Sequence, residues 1–311
     1  MGPFQESSAE SLRRQISYFA RSASVELTTK EILESTPYRR LLGPSTQVYI
    51  PHLPATRASD VIAAVRILVA DGMVPVPHLA ARRFKSDIEL DNLVDQLGDA
   101  GCRQALVIGG GVARPAGPFV SALDVLCSGK LERAGIRRIG IAGHPEGSQD
   151  IEPQALKRAF LEKAQLAESG LFEMYLVSQF CFESVSIIAW EKELRNLGNR
   201  LPIHIGVPGV TSGAKLLRFA AICGVKASAG FMRQGTRILG RLLSRWMPSA
   251  IVMQLASASV SDPGSMIRQL HFFPFGGFPE TVAWLKAVAE GHYDFADDEE
   301  GVQMVVEEER P

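Results

Sequence analysis

Eight short runs rich in Val, Ile and Leu recur along the chain, with longer amphipathic stretches between them. This alternation limits the possible folds more than any other feature. The runs are SVEL (24–27), QVYIPH (47–52), PVPHLA (75–80), QALVIGG (104–110), RIGIAG (138–143), EMYLVSQF (173–180), PIHIGVPG (202–209) and RQLHFFPF (268–275). They show little polar alternation, as expected of strands buried on both faces. Helical periodicity fills the intervals over about 58–71, 86–101, 121–134, 153–169, 184–197, 213–222 and 279–290, with extra helix over about 234–260. The helix after Ser86 carries Glu89 three residues on, a capping-box signature.

Eight strands, each followed by a helix, within 311 residues predict an α/β fold of the (β/α)8 TIM-barrel type. A doubly wound parallel sheet is the alternative. Leu12, Ile16 and Phe19 share one helical face, which predicts an N-terminal helix packed on the first strand. From Asp294 the chain turns acidic, which reads as a solvated, mobile end. The expected organisation is one catalytic domain over 1–293 and a tail over 294–311.

Apolar residues make up 46% and charged residues 22% of the chain, enough to build a full core and too apolar for a disordered chain. The net charge of -1 provides no basic field for nucleic acid or an anionic membrane. No apolar run approaches the ~20 residues of a membrane span. The first 24 residues lack the apolar centre of a secretory signal. Cys102, Cys127, Cys181 and Cys223 are scattered, with no metal-ligand spacing, so the expectations are no metal and a reducing, cytoplasmic setting. Self-association as a homo-oligomer stays open.

In a barrel of this kind chemistry sits at the C-terminal ends of the strands. Glu26 stands there between Val25 and Leu27. Dehydration raises a carboxyl pKa and suits it to general acid catalysis; the other reading is an ion pair with an arginine. Gly109, Gly110 and Gly111, followed by Arg114, suggest a phosphate cradle or a bare turn. Pro115 rules out a dinucleotide fingerprint, which must open directly into a helix. His78 and His144 are ligand contacts or core hydrogen-bonders. Gln179 offers a donor and an acceptor that match a heterocycle edge or another side chain. Arg233, Arg237, Arg241 and Arg245 recur every four residues. On a helix they form a basic stripe, either a solvated face or a landing strip for a polyanionic substrate tail.

Taken together, Glu26 in SVEL, PHLAAR (77–82), AGHPEG (142–147), VSQFCFE (177–183) and HFFPFGG (271–277) resemble the methylenetetrahydrofolate reductase family over roughly 24–290, in its short bacterial form. The resemblance implies a TIM barrel in which Glu26 is the catalytic acid that opens the folate ring to a hydride-accepting iminium. It implies Gln179, Phe219 and His271 on the folate side. It also implies His78, Gly109, Gly110, Gly111, Ala122 and His144 on the cofactor side.

The implied activity is hydride transfer between NAD(P)H, with or without FAD, and methylene- or methyl-tetrahydrofolate, with folate as the small-molecule partner. Several positions depart from the family. Gly109-Gly110-Gly111 stands where Arg-Gly-Asp is usual, Ser121 where a flavin-packing Tyr is common, and Ser148 where a His usually follows the Pro-Glu turn. Two other readings therefore stand beside the reductase: a pterin-dependent methyl-transfer barrel and a non-catalytic folate-binding paralogue.

Overall fold

The computed structural model describes residues 3–34, 38–54, 56–148, 151–222, 245–298 and 301–306. In chain order these form α1 (Pro3–Arg21), β1 (Ser24–Glu26), α2 (Thr29–Glu34), α3 (Tyr38–Leu41), β2 (Gln47–Ile50), α4 (Ala58–Ala70), β3 (Val74–Ala80), α5 (Asp87–Asp99) and β4 (Gln104–Ile108). Then come α6 (Ala122–Leu126), α7 (Lys130–Arg133), β5 (Arg138–Gly143), α8 (Pro153–Glu168), β6 (Glu173–Phe180), α9 (Ser184–Asn196) and β7 (Ile203–Pro208). The rest is β8 (Thr211–Ser212), α10 (Gly213–Ile222), β9 (Arg245–Trp246), α11 (Ser249–Ser261), β10 (Ile267–Phe273), α12 (Phe278–Glu290), β11 (Tyr293–Asp298) and β12 (Gly301–Val306).

The eight apolar runs are the eight strands of a closed barrel, ordered β1-β10-β7-β6-β5-β4-β3-β2. Closure excludes the doubly wound sheet and confirms the (β/α)8 expectation. The chain packs as two compact units. One comprises Ser24–Ser178 with Leu201–Ile203; the other comprises Met1–Ala23, Gln179–Arg200 and His204–Pro311.

In the first unit, parallel register sets Glu26 opposite Tyr49, Tyr49 opposite Val76, His78 opposite Leu106, Leu106 opposite Gly140 and Gly140 opposite Tyr175. Tyr49, Val76, Leu106, Tyr175 and Val177 form a buried cluster. The hydroxyls of Tyr49 and Tyr175 meet at 3.0 Å, one donating to the other across the buried interior. Nearer the start of the strands Gln47 Nε2 donates to Gln104 Oε1 at 2.6 Å. Gly140 makes room for this packing: a Cβ there would lie 3.0 Å from Leu106 Cδ1 and 3.2 Å from the Tyr175 ring.

In the second unit α1 buries Ile16 and Phe19 completely. Within that unit it packs chiefly against α11 and α12, and less against β10. The reason is the apolar faces of those helices, where Ile251, Leu255, Leu285 and Val288 are buried.

The acidic end departs from expectation. Asp294–Val306 is not a free tail over its described part: β11 and β12 pair antiparallel, with Phe295 opposite Met304. Met304 and Val306 are buried, and Arg13 donates to the Tyr293 carbonyl at 3.1 Å with its guanidinium over the Phe295 ring. An apolar residue at every second position holds the hairpin down, and the intervening aspartates hide that alternation in the composition.

Two helical expectations change. The 121–134 stretch is two short helices, broken where Gly129 adopts φ 71°. Arg245 lies in β9, paired opposite Ser212, and not on a helix; Arg233, Arg237 and Arg241 lie outside the described residues. Among the described residues no helix is long and apolar enough to cross a membrane.

Gly140→Val forces branched carbon against Leu106 and Tyr175 in a filled interior, and overpacking of this kind costs about 1–3 kcal/mol. The denaturation midpoint is expected to fall accordingly. An unchanged midpoint would mean that the interior has slack at this level.

Candidate functional site

Glu26 closes β1. Val25 and Leu27 on either side are each 1% exposed, which draws the strand end into the core. Thr28 then starts α2 with a reciprocal cap: its N–H and hydroxyl both donate to Glu31 Oε2, and Glu31 N–H donates to Thr28 Oγ1. The cap holds the Glu31 carboxylate near Glu26. Burial first, and the Glu31 charge second, push the Glu26 pKa up to about 8.

His78 faces Glu26 from β3, with Nε2 3.6 Å from Glu26 Oε2 and the two side chains 11% and 19% exposed. Burial, with His52 as a second cause, lowers the His78 pKa to about 3. The separation would suit an ion pair, but dehydration drives both groups to their neutral forms. At neutral pH the pair is a carboxylic acid beside a neutral imidazole. Among the described residues no lysine or arginine pairs with Glu26, so the arginine ion-pair reading does not hold there.

Of the other cofactor-side candidates, Gly109, Gly110 and Gly111 follow β4, Ala122 starts α6 and His144 follows β5. Gly110 has φ 104° and would carry a Cβ 3.1 Å from Ala80 Cβ; Gly111 has φ 50°. The loop is gathered on Arg82, the last residue of the PHLAAR motif, to which the motif reading gave no role. Its N–H donates to the Gly109 carbonyl, and its guanidinium to the carbonyls of Val112 and Val120. The next helix is closed by Asp124, which accepts from Val120 and Ser121 N–H, and Ala122 is buried at its start. His144 starts a turn closed by Gly147 N–H onto its carbonyl. Burial, and the Lys163 charge after it, lower the His144 pKa to about 4.

Gly109–Gly111 offer a phosphate backbone N–H groups only and an isoalloxazine edge no side chain, and Nε and Nη1 of the nearby Arg82 guanidinium donate to backbone carbonyls.

The folate-side candidates lie in the second unit. His271, Phe273, Phe275 and Phe219 form one aromatic row. The His271 and Phe273 rings are 4.6 Å apart, Phe273 and Phe275 are stacked at 5.8 Å, and Phe275 and Phe219 are stacked at 4.5 Å. Phe180 and Phe182 pack beside it with Leu216. Phe275 has φ 48°, a strained conformation for a bulky residue. The Gly209 N–H donates to the Phe273 carbonyl, and Thr211 Oγ1 to the Phe275 carbonyl, which together hold the turn. Gln179 lies half-buried at the end of β6. The structure thus brings together Glu26 with His78, and His271 with Phe219 through two phenylalanines that the motif reading did not single out. A pair of aromatics spaced by one proline in HFFPFGG was the available signal.

The folded protein holds the Glu26 proton up to about pH 8, whereas the unfolded chain releases it near 4.5. Between those values the folded state binds more protons, so this group lowers stability as pH rises through the window. Glu26→Gln removes that loss. Its melting temperature relative to wild type is expected to climb from pH 5 to pH 9. A difference that stays flat with pH would show that Glu26 titrates normally.

Among solved structures, one at a TM-score of 0.54 and 11% identity is an uncharacterized protein from Clostridium thermocellum that binds two copies of 5-methyl-5,6,7,8-tetrahydrofolic acid. It aligns over 90% of this chain and 99% of its own. Dihydropteroate synthase from Thermus thermophilus aligns over 85% and 93%, at a TM-score of 0.44 and 12% identity. The first likeness supports the barrel fold. The model of the methylenetetrahydrofolate reductase family matches residues 52–241, a span that contains His78, the glycine loop, His144, Gln179 and Phe219. That is more than half of the chain, and the chain belongs to the methylenetetrahydrofolate reductase family.

Proposed function

We propose that this protein is an oxidoreductase of the one-carbon pool that transfers hydride between NAD(P)H and methylene- or methyl-tetrahydrofolate. The observation that carries the reading is Glu26, a carboxyl group at the C-terminal end of a barrel strand that keeps its proton at neutral pH and has no lysine or arginine partner among the described residues. In the reductive direction Glu26 gives that proton to a ring nitrogen of methylene-tetrahydrofolate. The five-membered ring opens to an iminium, and hydride from NAD(P)H reduces the iminium carbon to methyl. One proton and one hydride enter the folate, and NAD(P)+ leaves. Family membership supports the folate substrate, and the Clostridium protein of similar fold, which binds 5-methyl-tetrahydrofolate, is in keeping with it.

Gln179 is assigned to the pterin edge, where a neutral amide orients and moves no proton. Phe219 and His271 are assigned to packing beside the bound rings. The second reading, a folate binder without turnover, is favoured by the missing side chains at Gly109–Gly111. Oxidation of NAD(P)H that depends on methylene-tetrahydrofolate, with no flavin added, separates the two; absence of that activity would overturn the reductase.

Glu26→Gln is expected to lose about a hundred- to ten-thousand-fold in turnover while still binding folate, the range of general acid catalysis. A variant with wild-type turnover would remove Glu26 from the chemistry. Gln179→Ala leaves a heterocycle edge unpaired, worth about 1–3 kcal/mol, or roughly a ten- to hundred-fold rise in folate KM. An unchanged KM would place Gln179 in the core.

A further inference from the structure

The burial that keeps a proton on Glu26 works against the acid at the moment it reacts. Once the proton has gone, a carboxylate is left with little water around it, and such a charge is costly unless a donor reaches it. Among the described residues no lysine or arginine does so. The polar atom that faces the carboxyl is Nε2 of His78, 3.6 Å from Glu26 Oε2. We propose that His78 is the positioning residue of the acid: its Nε2–H points at Glu26 Oε2, which leaves the acidic proton on Oε1 for the substrate and supplies a hydrogen bond to the carboxylate when that proton has left. This inference rests on the proposed role of Glu26 as an acid, and it assigns His78 to the acid rather than to the cofactor, where the resemblance puts it.

Glu26 ends β1 and His78 lies in β3, on either side of β2, so the barrel itself and no loop sets their separation. His78 is 11% exposed, and its Nε2 is buried with no hydrogen-bond partner among the described residues. That ring atom is not spent on the core. The ring stands edge-on to Tyr49 of the intervening strand at 6.1 Å, and Tyr49 lies opposite Glu26 in the register.

At 3.6 Å the contact is longer than a formed hydrogen bond. Catalytic hydrogen bonds are often loose in the free protein and tighten once substrate is bound. A neutral donor suits the task better than a cation. A cation this close would hold the carboxyl ionised at rest and leave no proton to give, whereas a neutral N–H favours the carboxylate less and the acid survives. With the other tautomer the carboxyl would donate to Nε2, and its proton would be held away from the substrate. In the step one proton passes from Glu26 Oε1 to the folate nitrogen. The imidazole keeps its own proton, the pair is neither oxidised nor reduced, and solvent returns a proton to Glu26 afterwards.

The other ionisable groups about the pair are Glu31 on α2, which opposes charge on Glu26, Tyr49 on β2, and His52 beyond β2, which opposes charge on His78. All three stay in place when His78 alone is replaced. The experiment compares His78→Met, which keeps bulk and loses the donor, with His78→Gln, which puts an amide N–H at similar reach; melting temperatures serve as the control. In His78→Met kcat is expected to fall about ten- to a hundredfold, the worth of one hydrogen bond to a charged group, with both KM values within about twofold. His78→Gln should recover most of that loss. Removing a donor from the carboxylate favours the protonated form. The titration of Glu26, read from its carboxyl stretch in the infrared with Glu26→Gln as the blank, should therefore move from near pH 8 to higher pH in His78→Met. Wild-type kcat in His78→Met, or equal losses in both variants, would overturn the proposal. So would a raised KM for NAD(P)H with kcat retained, the signature of a cofactor contact.

The infrared arm needs no turnover. An upward shift in a protein without reductase activity would sink the reductase reading and keep the hydrogen bond. An unmoved titration in an active protein would overturn the hydrogen bond and leave the reductase reading intact. Should neither variant fold, nitrogen NMR of the wild-type ring decides: a proton on Nε2 of His78 at neutral pH is expected, and a proton on Nδ1 alone would overturn the proposal.

Discussion

A closed parallel barrel has to fill its own interior, and this constraint governs the rest of the molecule. In the Ser24–Ser178 unit the space is taken by two tyrosines joined by a hydrogen bond between their hydroxyls, by Val76, Leu106 and Val177 around them, and by a glycine at position 140 that yields its volume to Tyr175. With the centre filled and dry, a carboxyl at the end of β1 has little water around it. The altered proton affinities of Glu26 and His78 follow from that packing more than from any charge nearby, since burial is the leading cause in both.

Two loops show how backbone groups replace missing side chains. After β4 the chain has only glycines where the family usually has charged residues, and Arg82 holds the loop through three of its carbonyls with its own N–H and guanidinium. After β10 the strained Phe275 is held in a row of stacked rings by hydrogen bonds from neighbouring turns. The first arrangement orders a loop that brings no side chains of its own. The second sets the rings of Phe273, Phe275 and Phe219 face to face.

The helical contacts outside the barrel are structural. Lys130 reaches Asp87 at 2.7 Å and Asp91 at 3.1 Å, which ties α7 to α5. Arg195 joins Glu191 and Asp262, while Glu191 also accepts the Met266 N–H, which sets the entry to β10. These networks lie on elements that brace strands, and their carboxylates are matched by cations, unlike Glu26.

The amino-acid order by itself determined the eight strands, their boundaries to within two residues, the Ser86 cap and the place of Glu26 at a strand end. Each depends on local periodicity or on contacts a few residues apart, which can be read along the chain. Only the tertiary structure decided that Glu26 has a histidine and, among the described residues, no arginine beside it, that Tyr49 meets Tyr175 126 residues away, and that Arg82 organises the glycine loop. It also turned the acidic end into a hairpin packed on α11 and α12. Those outcomes depend on which distant residues exclude water from a group or supply its hydrogen bonds, and linear spacing carries no record of either.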